Sequence, residues 1–314
     1  MSLAIGVDLG GTKIAAGVVN ETGQIVDQLT TPTPKDTTAN VVQELASTIK
    51  QLAEKHSVTQ VCVAAPGFVD ANRTEVLFTA NLPMRNVKLK SELEKITGLN
   101  VVIENDANAA AWAEYKYGSA QGAKNAVMLT VGTGLGGGLV INEKLVRGSF
   151  GVAAEVGHMN LVIDGLQCGC GLAGCWEQYA SGSALLRTAR KLAQENRDDA
   201  EILLSFGDHT PEGVEGVHIS MAAEADCPVA IATFKKVGKS LGRGMASLAA
   251  LLDPEIFVIG GGVSASAKFF MPTCEETFEK LLTARQYRPV AKIVLAQMGN
   301  DAGLIGAADL ARGD

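Results

Sequence analysis

The sequence predicts an α/β fold made of two related halves, each a sheet carrying helices on its faces. Three observations predict it. Strand-like apolar runs alternate with helical stretches along all 314 residues. A strand–glycine turn–strand hairpin stands near the start, Ile5-Gly6-Val7-Asp8-Leu9-Gly10-Gly11-Thr12-Lys13 running on into Ile14-Ala15-Ala16-Gly17-Val18-Val19. An equivalent hairpin recurs at 129–140 as Leu-Thr-Val-Gly-Thr-Gly-Leu-Gly-Gly-Gly-Leu-Val.

Taken in order, strands are expected at 4–9, 13–19, 24–28, 60–65, 100–104, 126–131, 137–142, 255–260 and 292–296. Helices are expected at about 38–55, 88–97, 106–117, 180–195, 228–252, 267–284 and 301–312. The first half ends near Asn105-Asp106. The polar, turn-rich stretch 196–217 reads as a surface excursion between helices. The final helix, opened by Asn300-Asp301, is placed to fold back on the first half.

Bulk composition narrows the function classes. A chain of this length buries a substantial core as one large or two modest domains. With 47% hydrophobic and 19% charged residues it has an ordinary soluble composition. A formal net charge of −7 argues against nucleic acid or an anionic membrane as main partner. Every long apolar run is broken by polar residues, so no membrane span is expected. The chain enters its first strand without a basic-then-apolar leader, which makes the cytoplasm the expected location.

Both hairpin tips are stripped of side chains and supplied with a hydroxyl, Thr12 in one and Thr133 in the other. Glycine admits positive φ and close approach of a ligand to the backbone. Exposed N–H groups then make a concavity suited to phosphate oxygens. Two such tips suggest two jaws on one polyphosphate. No Gly-x4-Gly-Lys-Ser/Thr occurs, and the glycines of 132–138 lead into a strand instead of the helix that a dinucleotide fingerprint needs. Asp8 beside such a nest is costly unless it helps to hold a metal ion or a water. The bland alternative is a pair of ordinary hairpin turns.

Within a short stretch the chain places His158, Cys168, Cys170 and Cys175, the last three as Cys-Gly-Cys-Gly-Leu-Ala-Gly-Cys. One imidazole and three thiolates form a closed tetrahedral set for Zn²⁺, structural because no coordination position stays open. Cys62, Cys227 and Cys274 are scattered, which speaks against a disulfide framework. Glu155 and Glu177 flank the metal-pinned loop at its two ends, so they are candidate polar ligands for a substrate, where solvated surface acids are the ordinary reading.

The run Val101-Val102-Ile103-Glu104-Asn105-Asp106-Ala107-Asn108 is a strand passing into an alanine-rich helix. Asp106 falls at the junction, where Asp is a common N-cap. Strand C-terminal ends are also where α/β proteins bind ligands. A carboxylate there can take a proton from a hydroxyl attacking phosphorus, with Asn105 holding a neighbouring hydroxyl.

Together these residues resemble the ROK family of sugar kinases, within the actin-like ATPase superfamily. The resemblance covers essentially the whole chain: Asp8-Leu9-Gly10-Gly11-Thr12-Lys13, Glu104-Asn105-Asp106-Ala107-Asn108, the second glycine loop, Arg147-Gly148 through Ala154-Glu155-Val156-Gly157-His158, the cysteine loop ending Cys175-Trp176-Glu177, and Ile259-Gly260-Gly261-Gly262-Val263. The cysteine tract most resembles that of the family's bacterial glucokinase branch. The resemblance implies two ribonuclease H-like lobes with a cleft between them, a small one over 1–107 joined by the 301–314 helix and a larger one over 108–300 carrying the zinc loop and nucleotide site. It implies Mg-ATP-dependent phosphorylation of glucose at the 6-hydroxyl, with Asp106 as general base.

The same resemblance assigns the other positions. Asn105 and Asp106 hold the far hydroxyls, and Glu155, His158 and Glu177 those near the anomeric carbon. Gly67 and Asn81 lie in the remaining sugar-contacting loops. Gly10, Gly11, Thr12, Thr133 and Gly134 grip phosphates, with Lys13 in the same nucleotide-binding group, and Gly261 and Gly262 line the adenosine site. Asp8 acts through Mg²⁺ and its waters. His158 serves zinc through one ring nitrogen and sugar through the other. A homodimer or homotetramer is implied. One departure stands at Met84, where related chains often carry an aromatic, and it bears on the rim of the sugar pocket alone.

Rival readings are a kinase for mannose, fructose or an N-acetylhexosamine, or one using polyphosphate as donor. A sugar-responsive repressor is a remoter rival, since such relatives carry a helix-turn-helix ahead of the first hairpin and Asp8 leaves no room for one.

Overall fold

Two five-stranded sheets share one plan, as the repeated glycine hairpin led us to expect. The computed structural model describes residues 2–313. The chain opens with β1 (Ala4–Leu9), β2 (Lys13–Val19), β3 (Ile25–Pro32), α1 (Thr38–His56) and β4 (Gln60–Ala65). There follow β5 (Phe68–Val69), β6 (Val76–Phe78), β7 (Arg85–Val87), α2 (Leu89–Thr97), β8 (Asn100–Asn105) and α3 (Asp106–Tyr117). The second hairpin is β9 (Ala126–Val131) and β10 (Leu135–Ile141), with β11 (Lys144–Leu145) after it. Then come α4 (Glu177–Ala180), α5 (Gly182–Glu195), α6 (Glu201–Ser205), α7 (Gly216–Glu224) and α8 (Pro228–Leu252). The chain closes with β12 (Ile256–Gly260), α9 (Ala267–Leu281), β13 (Lys292–Leu295) and α10 (Ala302–Ala311).

The first sheet has the order β3-β2-β1-β4-β8 and the second β11-β10-β9-β12-β13. In the first, an antiparallel hairpin is continued by parallel strands: Asp8 lies opposite Ala64 and Ala64 opposite Glu104. A small third sheet, β5-β6-β7, was not foreseen. The chain divides into two units: Met1–Met128 with Gly137–Ala154 and Ala296–Asp314, and Leu129–Gly136 with Glu155–Leu295.

In the first unit β1 and β2 are buried along almost their whole length, which explains their unbroken apolar sequences. β3 alternates exposed and half-buried positions, the pattern of an edge strand, and runs on to Pro32 because Thr31 still pairs with Ile14. Thr37 caps α1 by accepting from the Asn40 N–H at 3.2 Å, and Val41, Val42, Leu45, Ile49 and Leu52 face the core. α10 packs on β1, β4 and α3. Its small residues make that approach possible: a side chain at Gly306 would strike the Ala109 carbonyl.

In the second unit α8 starts with Pro228 at its first turn and packs along α9. Side chains at Gly238 and Gly242 would collide with the Phe270 and Cys274 carbonyls of α9. Within the stretch read as a surface excursion, the chain forms α6 and opens α7, which bury Leu203, Leu204 and Ile219. Short helices of this kind are held by tertiary burial more than by sequence period.

Candidate active site and metal centre

Parallel pairing of β1, β4 and β8 puts their C-terminal ends side by side, and with them Asp8, the Pro66-Gly67 turn and Asn105-Asp106. Ligand sites of α/β sheets occupy this position. Asn105, not Asp106, is the N-cap of α3: its Oδ1 accepts from the Asn108 N–H at 2.9 Å. Asp106 is therefore the first helical residue, and its carboxylate accepts from the Ala107 N–H at 2.8 Å. Burial raises the Asp106 carboxyl to about 6. Asp8 is also raised to about 6, by burial first and the nearby Asp106 charge second, against the lowering effect of Lys13. Two desolvated carboxylates at the ends of β1 and β8 favour a bound cation.

Asn105 is engaged on both sides, since its Nδ2 donates to the Gly67 carbonyl at 3.0 Å. Gly67 has φ +86°, and a Cβ there would collide with the Phe78 carbonyl, so the turn requires glycine. Asn81 is brought to the first glycine turn, where a Cβ on Gly11 would lie 3.7 Å from its own Cβ. That turn is closed by the Gly10 N–H donating to the Lys13 carbonyl at 3.0 Å. Gly10, Gly11, Gly132 and Gly134 are not in the positive-φ region, so these tips do not use that freedom of glycine. Gly10 is short of room instead, its Cβ position lying 2.9 Å from the Lys13 carbonyl.

Sequence reasoning missed the ion cluster behind Asn105 and Asp106. Glu104 is buried, with Oε2 2.7 Å from Arg147 Nε and 3.4 Å from Arg73 Nε. Its Oε1 accepts from the Asn105 N–H and from Asn108 Nδ2, each at 3.0 Å. The signal was present in Glu104 and Arg147, both inside noticed motifs, but their pairing spans 43 residues and leaves no periodicity. Met84 corrects another expectation: it is fully buried in the first unit's core, so the departure there lies in packing and not at a pocket rim.

In the second unit the Gly132–Gly134 turn is clamped to the start of α5. The Gly182 N–H donates to the Gly132 carbonyl at 2.7 Å, and Ser183 Oγ to the Thr133 carbonyl at 2.8 Å. A groove of about 600 Å³ is lined by Thr133, Ser183, Val217, Ser220, Gly262 and Val263 among others. It brings together two residues expected at the nucleotide, Thr133 and Gly262. Gly261 turns the chain behind them at φ +86°, its Cβ position 2.6 Å from the Val131 carbonyl.

The ligand atoms of His158, Cys168, Cys170 and Cys175 all lie within 4.8 Å of one another. His158 Nδ1 is 3.7 Å from Cys168 Sγ, and Cys170 Sγ is 3.6 Å from Cys175 Sγ. The loop is closed by the Cys168 N–H on the Leu172 carbonyl and the Trp176 N–H on Met159, both at 2.8 Å. Burial drives the Cys168 thiol up to about 12, a cost that a bound cation removes by holding the thiolate. Three thiols and one imidazole fit zinc as a closed set. His158 Nε2 faces the other way, 3.9 Å from Glu155 Oε2, and Glu177 Oε1 is 3.1 Å from Cys168 Sγ. Glu177 Oε2 also lies 2.9 Å from the Cβ position of Gly134. Within this unit, then, Glu155, His158, Glu177 and Gly134 are neighbours.

The ROK family model matches residues 4–314. The glucokinase of Streptomyces coelicolor is 49% identical over 312 residues, covering 99% of this chain and 98% of that protein. The crystal structure of a ROK family glucokinase from Streptomyces griseus, in complex with glucose and AMPPNP, is 48% identical with a TM-score of 0.89 and covers 100% of both chains. A ROK hexokinase from Thermus thermophilus is 34% identical, with a TM-score of 0.83 over 98% of this chain and 96% of that one.

Proposed function

The chain belongs to the ROK family, and from that premise we propose that it transfers the terminal phosphoryl group of ATP to the 6-hydroxyl of glucose, with Asp106 as general base. The observation that carries this reading is the state of Asp106. It is released from helix capping by Asn105, sits at the end of parallel strands beside Asp8, and has a carboxyl raised to about 6. A base with that affinity accepts a hydroxyl proton readily and is still ionised at neutral pH.

In this reading Asn105 and Asp106 hold the far hydroxyls of the sugar, with Gly67 and Asn81 supplying the loops around them. Glu155, His158 and Glu177 hold those near the anomeric carbon. The Nε2 of His158 faces Glu155 while its Nδ1 faces the thiols, which supports the double duty expected of it. Gly10, Gly11, Thr12 and Lys13 on one tip and Thr133 and Gly134 on the other steady the phosphates through backbone N–H groups and hydroxyls. Gly261 and Gly262 border the adenosine. Phosphoryl transfer asks mainly for alignment and neutralised charge. Magnesium bound with the nucleotide supplies the neutralisation, and Asp8 is the residue to hold it through its waters. Zinc on His158, Cys168, Cys170 and Cys175 is structural and fixes the loop that presents Glu155 and Glu177.

We place the protein in the cytoplasm, where ATP is available and metal-binding thiols stay reduced. We assign it a homodimeric or homotetrameric state, which light scattering on the full chain decides. The functional test is a coupled assay with glucose, mannose, fructose and N-acetylglucosamine, each with ATP or inorganic polyphosphate. Glucose with ATP should give the highest kcat/KM. Preference for another sugar or donor contradicts the reading.

A further inference from the structure

The second unit holds another concave site, a groove of about 760 Å³ among α5, α8 and α9 that contains none of the residues assigned above. Its volume is in the range of small-ligand pockets. The walls carry Arg187 and Lys191 from α5, Lys236, Lys239 and Arg243 from α8, and Lys280 from α9. On α8 these cations recur three and four residues apart, so they share one face. Glu276 is the sole acid on the lining. Such a concentration is notable in a chain whose net charge is −7.

Few of these charges are answered. Arg187 Nη2 donates to the Gln178 carbonyl, and Lys191 Nζ lies 3.8 Å from Glu195. The side chains of Lys236, Lys239, Arg243 and Lys280 have no acidic partner among the described residues. Like charges gathered on one concavity repel each other, and an anion bearing several charges relieves all of them at once. The lining's one aromatic residue, Tyr179, has its hydroxyl tied to the Leu166 N–H at 2.7 Å, and a single ring is no platform for stacking successive bases. The chemistry therefore points to phosphate groups on a small body, not to a nucleic acid.

The groove also grips both neighbours of Glu177. Trp176 Nε1 donates to the carbonyl of Ser240, a lining residue, at 2.8 Å. The Trp176 ring lies against Gly244, leaving no room for a Cβ there. On the other side Arg187 holds Gln178. We propose that this groove is a regulatory site for a small anion carrying two or more phosphate groups, whose binding changes the glucose KM through Trp176 and Gln178. The effect on KM rests on Glu177 belonging to the sugar site; the binding does not.

Calorimetry on the full chain, with saturating AMPPNP and fixed ionic strength, tests binding with inorganic tripolyphosphate in one arm and a hexose bisphosphate in the other. At least one should bind at one per chain, and the tighter arm identifies the source. The K236Q/K239Q/R243Q variant should weaken it roughly tenfold, as expected for three exposed ion pairs together. Glu276→Gln should tighten it, and both variants should keep parental kcat/KM when no anion is present. At fixed free magnesium, the bound anion should shift the glucose KM of the parent about fivefold and leave that of the triple variant unmoved. Absence of binding in both arms, undiminished binding to the triple variant, or displacement by AMPPNP overturns the site. A triple variant of changed oligomeric mass overturns it too, since the face would then join copies of the chain. Binding with an unmoved glucose KM overturns the regulatory role.

Discussion

Asn105 Nδ2 donates to the Gly67 carbonyl at 3.0 Å, so the residue that caps α3 also ties down the turn after β4. Helix start and turn are thereby fixed to each other at the strand end where Asp106 projects. Removing this one amide loosens both.

Asn105→Ala should cost about 0.5–2 kcal/mol from the lost cap alone, lowering Tm by a few degrees. Its glucose KM should rise while the ATP KM stays near parental. Asn105→Asp keeps the capping oxygen but not the donor to Gly67, so it should recover the cap's share of Tm without recovering the glucose KM. Steady-state kinetics and thermal melts on the two variants check this; parental glucose KM in Asn105→Ala contradicts it.

Arg147→Ala leaves Glu104 buried without its 2.7 Å partner. Breaking such a pair typically costs about 3–5 kcal/mol, because a charge is stranded in the interior. Arg73, at 3.4 Å, softens the loss. Denaturant unfolding should show a lower midpoint at unchanged slope, with Arg147→Lys falling between parent and alanine. A midpoint unmoved in Arg147→Ala contradicts the role given to the cluster.

What was legible in the sequence was what local pattern or spacing encodes. The glycine hairpins, most strand positions and the Cys/His cluster follow from runs and intervals a few residues long. The strand-to-helix junction at Asp106 is legible in the sequence, but the cap falls one residue earlier, on Asn105. The Glu104–Arg147 pair was invisible because only the folded chain brings it together. β5, β6 and β7 are two or three residues long and carry no countable alternation. α7 begins inside a glycine-rich polar stretch, and burial of Ile219, Ala222 and Ala223 decides it.

Metal removal should separate the two groups of site residues. One zinc per chain is expected by elemental analysis, and stripping it with a strong chelator should lower Tm and raise the glucose KM sharply, since the loop flanked by Glu155 and Glu177 loses its staple. Nucleotide binding at the Thr133–Gly262 groove should survive. Equal loss of nucleotide binding contradicts a role confined to the loop.

The pH dependence has a definite sign. Asp106 accepts a proton only as the carboxylate, and its carboxyl is raised from 3.8 to about 6. Turnover should therefore climb as pH rises through about 6 and level off above it. Stability moves the opposite way: an acid raised in the fold holds its proton more tightly when folded, so its contribution is full below 3.8 and lost as pH rises through about 6. A pH–rate profile flat from the acid side through neutrality contradicts the assignment.

Asp106→Asn tests the central claim most directly, read as kcat with glucose and ATP alongside glucose affinity and Tm at neutral pH. The account predicts a fall in kcat of about 10²-fold or more, within the range expected for loss of a general base. Glucose should still bind, and Tm should be no lower than the parent's, because the desolvated charge is gone. Near-parental kcat in this variant would contradict the account.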